Sequence, residues 1–151
     1  MENTYKIVVG DWSEDGHNQW QFFYFKCNAT QEQIKKAYLD AVKASGLALS
    51  RYDPQHVSWP EGVTPVLSEH EENMLTRKNA EKFKAIGVDI ADYGLEEDVF
   101  YAEHVARLFL DMVKSQLEGF EYEIVDDKIP CINGFWSKDF NISIGYGALS
   151  P

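Results

Sequence analysis

Eight consecutive residues, Gly10-Asp11-Trp12-Ser13-Glu14-Asp15-Gly16-His17, gather turn formers, carboxylates and an imidazole more densely than any other stretch of this 151-residue chain. Asp11, Ser13 and Asp15 place side-chain oxygens at positions 1, 3 and 5 of a loop, and Gly16 follows at position 6. That is the first half of a calcium-loop pattern: a hard cation takes several oxygen ligands, and alternate residues of a tight loop point inward. Position 12 is Phe22 where the pattern asks for a bidentate glutamate, and the flanking segments have strand character where it asks for helices. His17 widens the chemistry, because with Asp11 or Asp15 it could ligate a transition metal or act as a general base. Asp11, Ser13, Asp15 and His17 are therefore the candidate ligands of a divalent cation (Ca²⁺, Mn²⁺ or Zn²⁺). A polar hairpin loop whose carboxylates accept local backbone amides explains the same residues, and half-motifs of this kind more often mean that.

Chemistry elsewhere in the chain is sparser. His56, His70 and His104 lie at no short ligand spacing from one another, and His104 falls on the polar side of a helix as an ordinary surface histidine. Asp126-Asp127-Lys128, at the end of a strand pattern, matches the carboxylate-x-lysine of one nuclease superfamily, but the upstream acid that chemistry needs has no candidate. There is no nucleophile elbow, no phosphate-cradling glycine loop and no paired-cysteine zinc set. Cys27 and Cys131 are far apart in sequence and read as reduced, buried thiols. A second candidate is the acidic cluster Asp89, Asp92, Glu96, Glu97 and Asp98, as a face for a partner; such runs are more often solvated helix starts.

Charge narrows the partners. The chain carries a formal charge of −11, unevenly placed: residues 1–60 hold seven acids and six bases, residues 61–151 eighteen acids and eight bases. A field of that sign repels phosphate backbones and anionic membranes, so direct nucleic-acid binding and membrane association are not expected. A protein with a basic surface, or a cation, is electrostatically easier; solubility alone also accounts for the charge. Hydrophobic residues make up 44% and aromatics 14%, enough for a real core. A chain of this length hides roughly 68–70% of its unfolded surface on folding. No apolar run approaches the roughly 20 residues that span a bilayer, and Met1-Glu2-Asn3-Thr4 lacks the features of a secretion signal, so the cytoplasm is the expected location.

These residues need elements to position them. Tyr5 to Val9 is a β-branched strand ending at Gly10, and Trp20 to Cys27 is an aromatic strand apolar on both faces, hence central; a hairpin joins them. Phe23, Phe25 and Cys27 share one face of that strand, and Trp20, Phe22 and Tyr24 the other. Thr30 and Gln33 form a capping box, Ile34, Ala37, Tyr38, Ala41 and Val42 recur at helical spacing, and Gly46-Leu47 closes the helix. Prolines at 54, 60 and 65 break the next stretch, with a short strand possible from Leu47 to Tyr52. A second capping-box pattern at Ser68-Glu69-His70-Glu71 predicts a surface helix running toward Ile86. The strongest helix carries Val99, Ala102, Val105, Ala106, Phe109, Met112 and Val113 and ends at Leu117; it must pack on the sheet. Phe120 to Val125, Lys128 to Ile132 and Phe140 to Tyr146 read as further strands, with Asn133-Gly134 as a hairpin signal. The expected whole is one compact α+β domain over residues 1–151: a mainly antiparallel sheet (N-terminal hairpin plus C-terminal meander) packed against two or three helices.

Three segments, Ile7 to His17, Glu123-Ile124-Val125-Asp126-Asp127-Lys128-Ile129-Pro130 and Gly145-Tyr146-Gly147, resemble small bacterial and phage-associated proteins of no established activity. The resemblance supplies no catalytic residues and implies a small accessory protein. Together these readings favour a binding protein over an enzyme, of immunity, antitoxin-like or anti-defence type, meeting a basic partner through its acidic half. The rivals are a metal-dependent enzyme or sensor centred on the loop, and a small-molecule binding module.

Overall fold

A computed structural model describes residues 3–11, 19–50, 64, 66–68, 70, 73, 75, 79–93, 102–125 and 134–136. The architecture is α+β. Strand β1 (Asn3–Asp11) pairs antiparallel with β2 (Gln19–Cys27) along its whole length, from Asn3 opposite Cys27 to Asp11 opposite Gln19. Two strands from the second half of the chain join them, β5 (Tyr122–Val125) beside β2 and β6 (Gly134–Trp136) beside β1, giving the order β5-β2-β1-β6. β5 is antiparallel to β2, whereas β6 runs parallel to β1. The two later strands thus flank the N-terminal pair from opposite edges instead of pairing with each other as a meander. The aromatic strand β2 is central, in keeping with its apolar content on both faces.

The pleat sorts this sheet. Tyr5, Ile7 and Val9 of β1 and Phe25 and Cys27 of β2 are buried on one face, beneath the helices. Each large side chain removed from water there contributes roughly 1.5–3 kcal/mol. On the other face Val8 is fully buried, but Phe22, its partner in register, is 52% exposed, and the Lys6 ammonium lies 5.4 Å from the Phe22 ring centroid. That face is covered at Val8 and open at Phe22, with Lys6 and Tyr24 half-buried between them and the strand ends.

Helix α1 (Gln31–Ser45) begins and ends where local chemistry says it should. The Thr30 hydroxyl accepts the Gln33 amide at 3.2 Å, and the Gln33 side chain accepts the Thr30 amide at 2.9 Å. Gly46, at φ 79°, turns the chain out of the helix in the left-handed region that favours glycine, and Leu47 is buried against its end. Helix α3 (Ala102–Gln116) lies against α1, β1 and β2, and the Tyr38 and Phe109 rings meet at 5.0 Å between the two helices. Among the described residues no helix is long and apolar enough to cross a membrane.

The middle of the chain departs from expectation. Ser68 belongs to β4 (Leu67–Ser68), which pairs parallel with β3 (Leu49–Ser50), and among the described residues of this stretch the α-helix is α2 (Ala80–Lys84). The Ser68 hydroxyl does accept a backbone amide, but from His70, two residues on, so it makes a turn where a cap would reach three. Its described apolar residues do not lie on the surface: Leu75 and Phe83 are fully buried. A 3-10 turn (Ile90–Tyr93) occupies the expected connector and presses Ile90 and Tyr93 into the core.

Candidate functional site

The most elaborate polar arrangement lies where the 3-10 turn meets α3. The apolar face of α3 is wide, with Val105, Ala106, Leu108, Phe109, Leu110, Met112 and Val113 all buried. Among the residues left outside it, His104, Arg107, Asp111 and Lys114 form a row at intervals of three and four. Tyr93 lies along this row and is gripped from backbone to hydroxyl. His104 Nδ1 donates to the Tyr93 carbonyl at 2.5 Å, which fixes the proton on that ring nitrogen. The Arg107 guanidinium sits 5.3 Å from the centre of the Tyr93 ring, at cation–π range. The Tyr93 hydroxyl donates to Asp111 Oδ2.

Asp111 ties in a third element, because Tyr122 of β5 donates its hydroxyl to Oδ1 at 2.5 Å. One carboxylate therefore holds the 3-10 turn, α3 and β5 together. Burial raises the pKa of Tyr93 and of Tyr122, and the hydrogen bond to Asp111 and its negative charge raise them further, while Arg107 opposes the shift. These phenols stay protonated and act as donors; they are not poised as bases. Beside the clamp opens a cavity of about 250 Å³, lined by Ile86, Gly87, Val88, Tyr93, Asp111, Lys114 and Ser115.

A second long-range polar contact has a structural explanation. Asn28 donates to the Gly119 carbonyl at 2.8 Å and accepts the Glu121 amide at 2.9 Å, so it satisfies the chain where α3 turns into β5. The neighbouring cavity is only about 80 Å³.

Of the residues singled out in sequence, Asp11 ends β1 opposite Gln19, so the ladder draws together the two ends of the segment between them. Ser13, Asp15 and His17 lie outside the described residues, as do Glu96, Glu97 and Asp98 and Cys131. Cys27 is a free, fully buried thiol whose pKa burial raises. Asp89 and Asp92 sit at the same 3-10 turn with separate tasks. Asp89 Oδ1 accepts the Ala91 amide at 3.0 Å, a local cap, while the Asp92 side chain is exposed. Among the described residues no three His, Cys, Asp or Glu side chains converge as a metal site. His104 is half-buried and bonded, not a lone surface histidine. No sequence spacing reveals the clamp, because Tyr93 and Tyr122 lie 18 and 11 residues from Asp111. Its one sequence signal was Asp111 itself, a carboxylate between Leu110 and Met112 in the most apolar helix.

No family model, characterised protein or solved structure matches this chain.

Proposed function

We propose that this chain is a small binding protein that recognises the basic surface of another protein through its acid-rich second half. The observation that carries this reading is the outward placement of that charge. Of the eight described acids beyond residue 60, six are exposed: Glu81, Asp92, Glu103, Glu118, Glu121 and Glu123. Only Asp89 and Asp111 are withdrawn, one as a cap and one in the clamp. A surface of this sign speeds encounter with cationic partners and opposes nucleic acid. An accessory role of immunity, antitoxin-like or anti-defence kind, in bacteria or their phages, suits such a size and charge.

The test is capture of a basic protein partner by the wild type and by a variant with Asp92, Glu96, Glu97 and Asp98 replaced by lysine. Capture by the wild type should weaken as salt rises from roughly 0.05 to 0.5 M, because screening shortens to a few ångströms. The variant should capture less at low salt and show a flatter salt dependence. Equal capture by the two proteins at every salt concentration sinks the proposal.

A further inference from the structure

We propose that the cavity between the 3-10 turn and α3 is a binding site for a free α-amino acid with an aliphatic side chain. Its lining is divided in a way that selects this chemistry. Ile86 and Val88 supply an apolar wall, while Asp111 and Lys114 present opposite charges one helical turn apart, with roughly 5–6 Å between their Cβ atoms. These two do not neutralise each other: among the described residues no ion pair joins Asp111 to Lys114. Lys114 is exposed and keeps three donors for a ligand.

Asp111 is the better prepared of the two. The phenols of Tyr93 and Tyr122 each occupy one site on its two oxygens. A carboxylate offers about four such sites, so acceptor capacity remains. Its orientation is already fixed from two elements, so a ligand need not order it on binding.

The pair of charges discriminates between ligand classes. A metal cation or simple amine would meet the Lys114 ammonium at close range, and a simple anion would meet Asp111. A compact zwitterion satisfies both, its ammonium on Asp111 and its carboxylate on Lys114, and leaves a side chain to cover Ile86 and Val88.

The experiment is calorimetric titration of the whole chain with L-leucine, L-isoleucine and L-valine, each beside its N-acetyl and its carboxamide derivative. The free amino acids should bind with affinities of roughly 1 mM or tighter, and each blocked derivative at least about tenfold more weakly. Lys114→Gln, at an exposed position that does not threaten folding, should weaken leucine by about tenfold or more through loss of a charge-assisted bond. The same change should not weaken leucinamide, which has no carboxylate to lose and whose ammonium no longer faces the Lys114 charge. Absence of binding by all three amino acids at roughly 10 mM overturns the proposal. So does equal binding of blocked and free forms, or leucine affinity indifferent to Lys114→Gln.

Discussion

Helices α1 and α3 are each 15 residues long and pack against each other, yet they are specified in opposite ways. The polar contacts that define α1 close within four residues. The Thr30–Gln33 box opens it, the Gly46 amide reaches Lys43 at 3.2 Å, and the Lys36 ammonium meets Asp40 at 2.9 Å. Those of α3 reach across the fold to a 3-10 turn before it and a strand after it. Each helix buries seven residues, but only on α3 is a row of polar side chains engaged by distant elements, through Tyr93 and Tyr122. Local bonds fix where a helix starts and stops; long-range bonds fix what it holds together. Damage to the second kind should therefore cost more and spread further.

Asp111→Ala tests this most severely. It strips the acceptor from two phenols, one of them on Tyr93, which is only 5% exposed. The expected loss is about 2–4 kcal/mol by urea denaturation, since donors left unsatisfied in a buried setting keep their full desolvation penalty. Adding Tyr93→Phe and Tyr122→Phe to Asp111→Ala should return part of that loss, because the orphaned hydroxyls go with them. A loss below about 1 kcal/mol would place α3 on the same footing as α1.

The clamp should also show in alkali. Unfolded phenols ionise near pH 10, while the folded pKa values of Tyr93 and Tyr122 are raised above that. Above pH 10 the unfolded chain thus holds fewer protons than the folded one. The phenols' contribution is complete below about pH 10 and is lost as the pH rises toward the folded values. The doubly substituted Tyr93→Phe, Tyr122→Phe protein should lose part of this slope. It should keep the part due to Tyr38, which is fully buried and shifted in the same direction.

The same contrast explains what could be read from the chain. The limits of α1, the two faces of β2 and the apolar face of α3 were legible, because propensity, capping and periodicity are written in adjacent residues. The failures lie where one local signal fits two geometries. Ser68 and His70 have the spacing of a turn as well as the start of a cap, and the turn wins because Ser68 is held in β4 beside Ser50. Where a surface helix toward Ile86 is expected, Phe83 is fully buried, since five residues of helix suffice to deliver one ring to the core. β6 followed a hairpin signal but pairs parallel with β1, a partner more than a hundred residues away. The clamp was illegible for a similar reason: nothing near Asp111 in sequence names Tyr93 or Tyr122.

On the α1 side of the comparison, Thr30→Ala should cost about 1 kcal/mol, the usual price of a lost side-chain cap. The Gln33 amide loses its acceptor, but the helix end is exposed and water replaces the bond. Hydrogen exchange should locate the effect: protection falls in the first turn of α1 and stays unchanged at the Asp111 clamp. A drop in protection spreading to α3 would mean that the cap, too, acts at long range.

The smallest effect belongs to the Lys36–Asp40 pair. Its side chains are 63% and 39% exposed, so water screens the attraction. The order along the helix is also the weaker one, with the base ahead of the acid and so oriented against the macrodipole. Asp40→Asn should change stability by about 0.3 kcal/mol, and the difference should vanish near 1 M salt, where the Debye length falls to about 3 Å. Because this pair is as local as the cap and as charged as Asp111, it separates the two explanations. If it costs as much as the loss of Asp111, charge and not reach is what sets the strength of a contact in this fold.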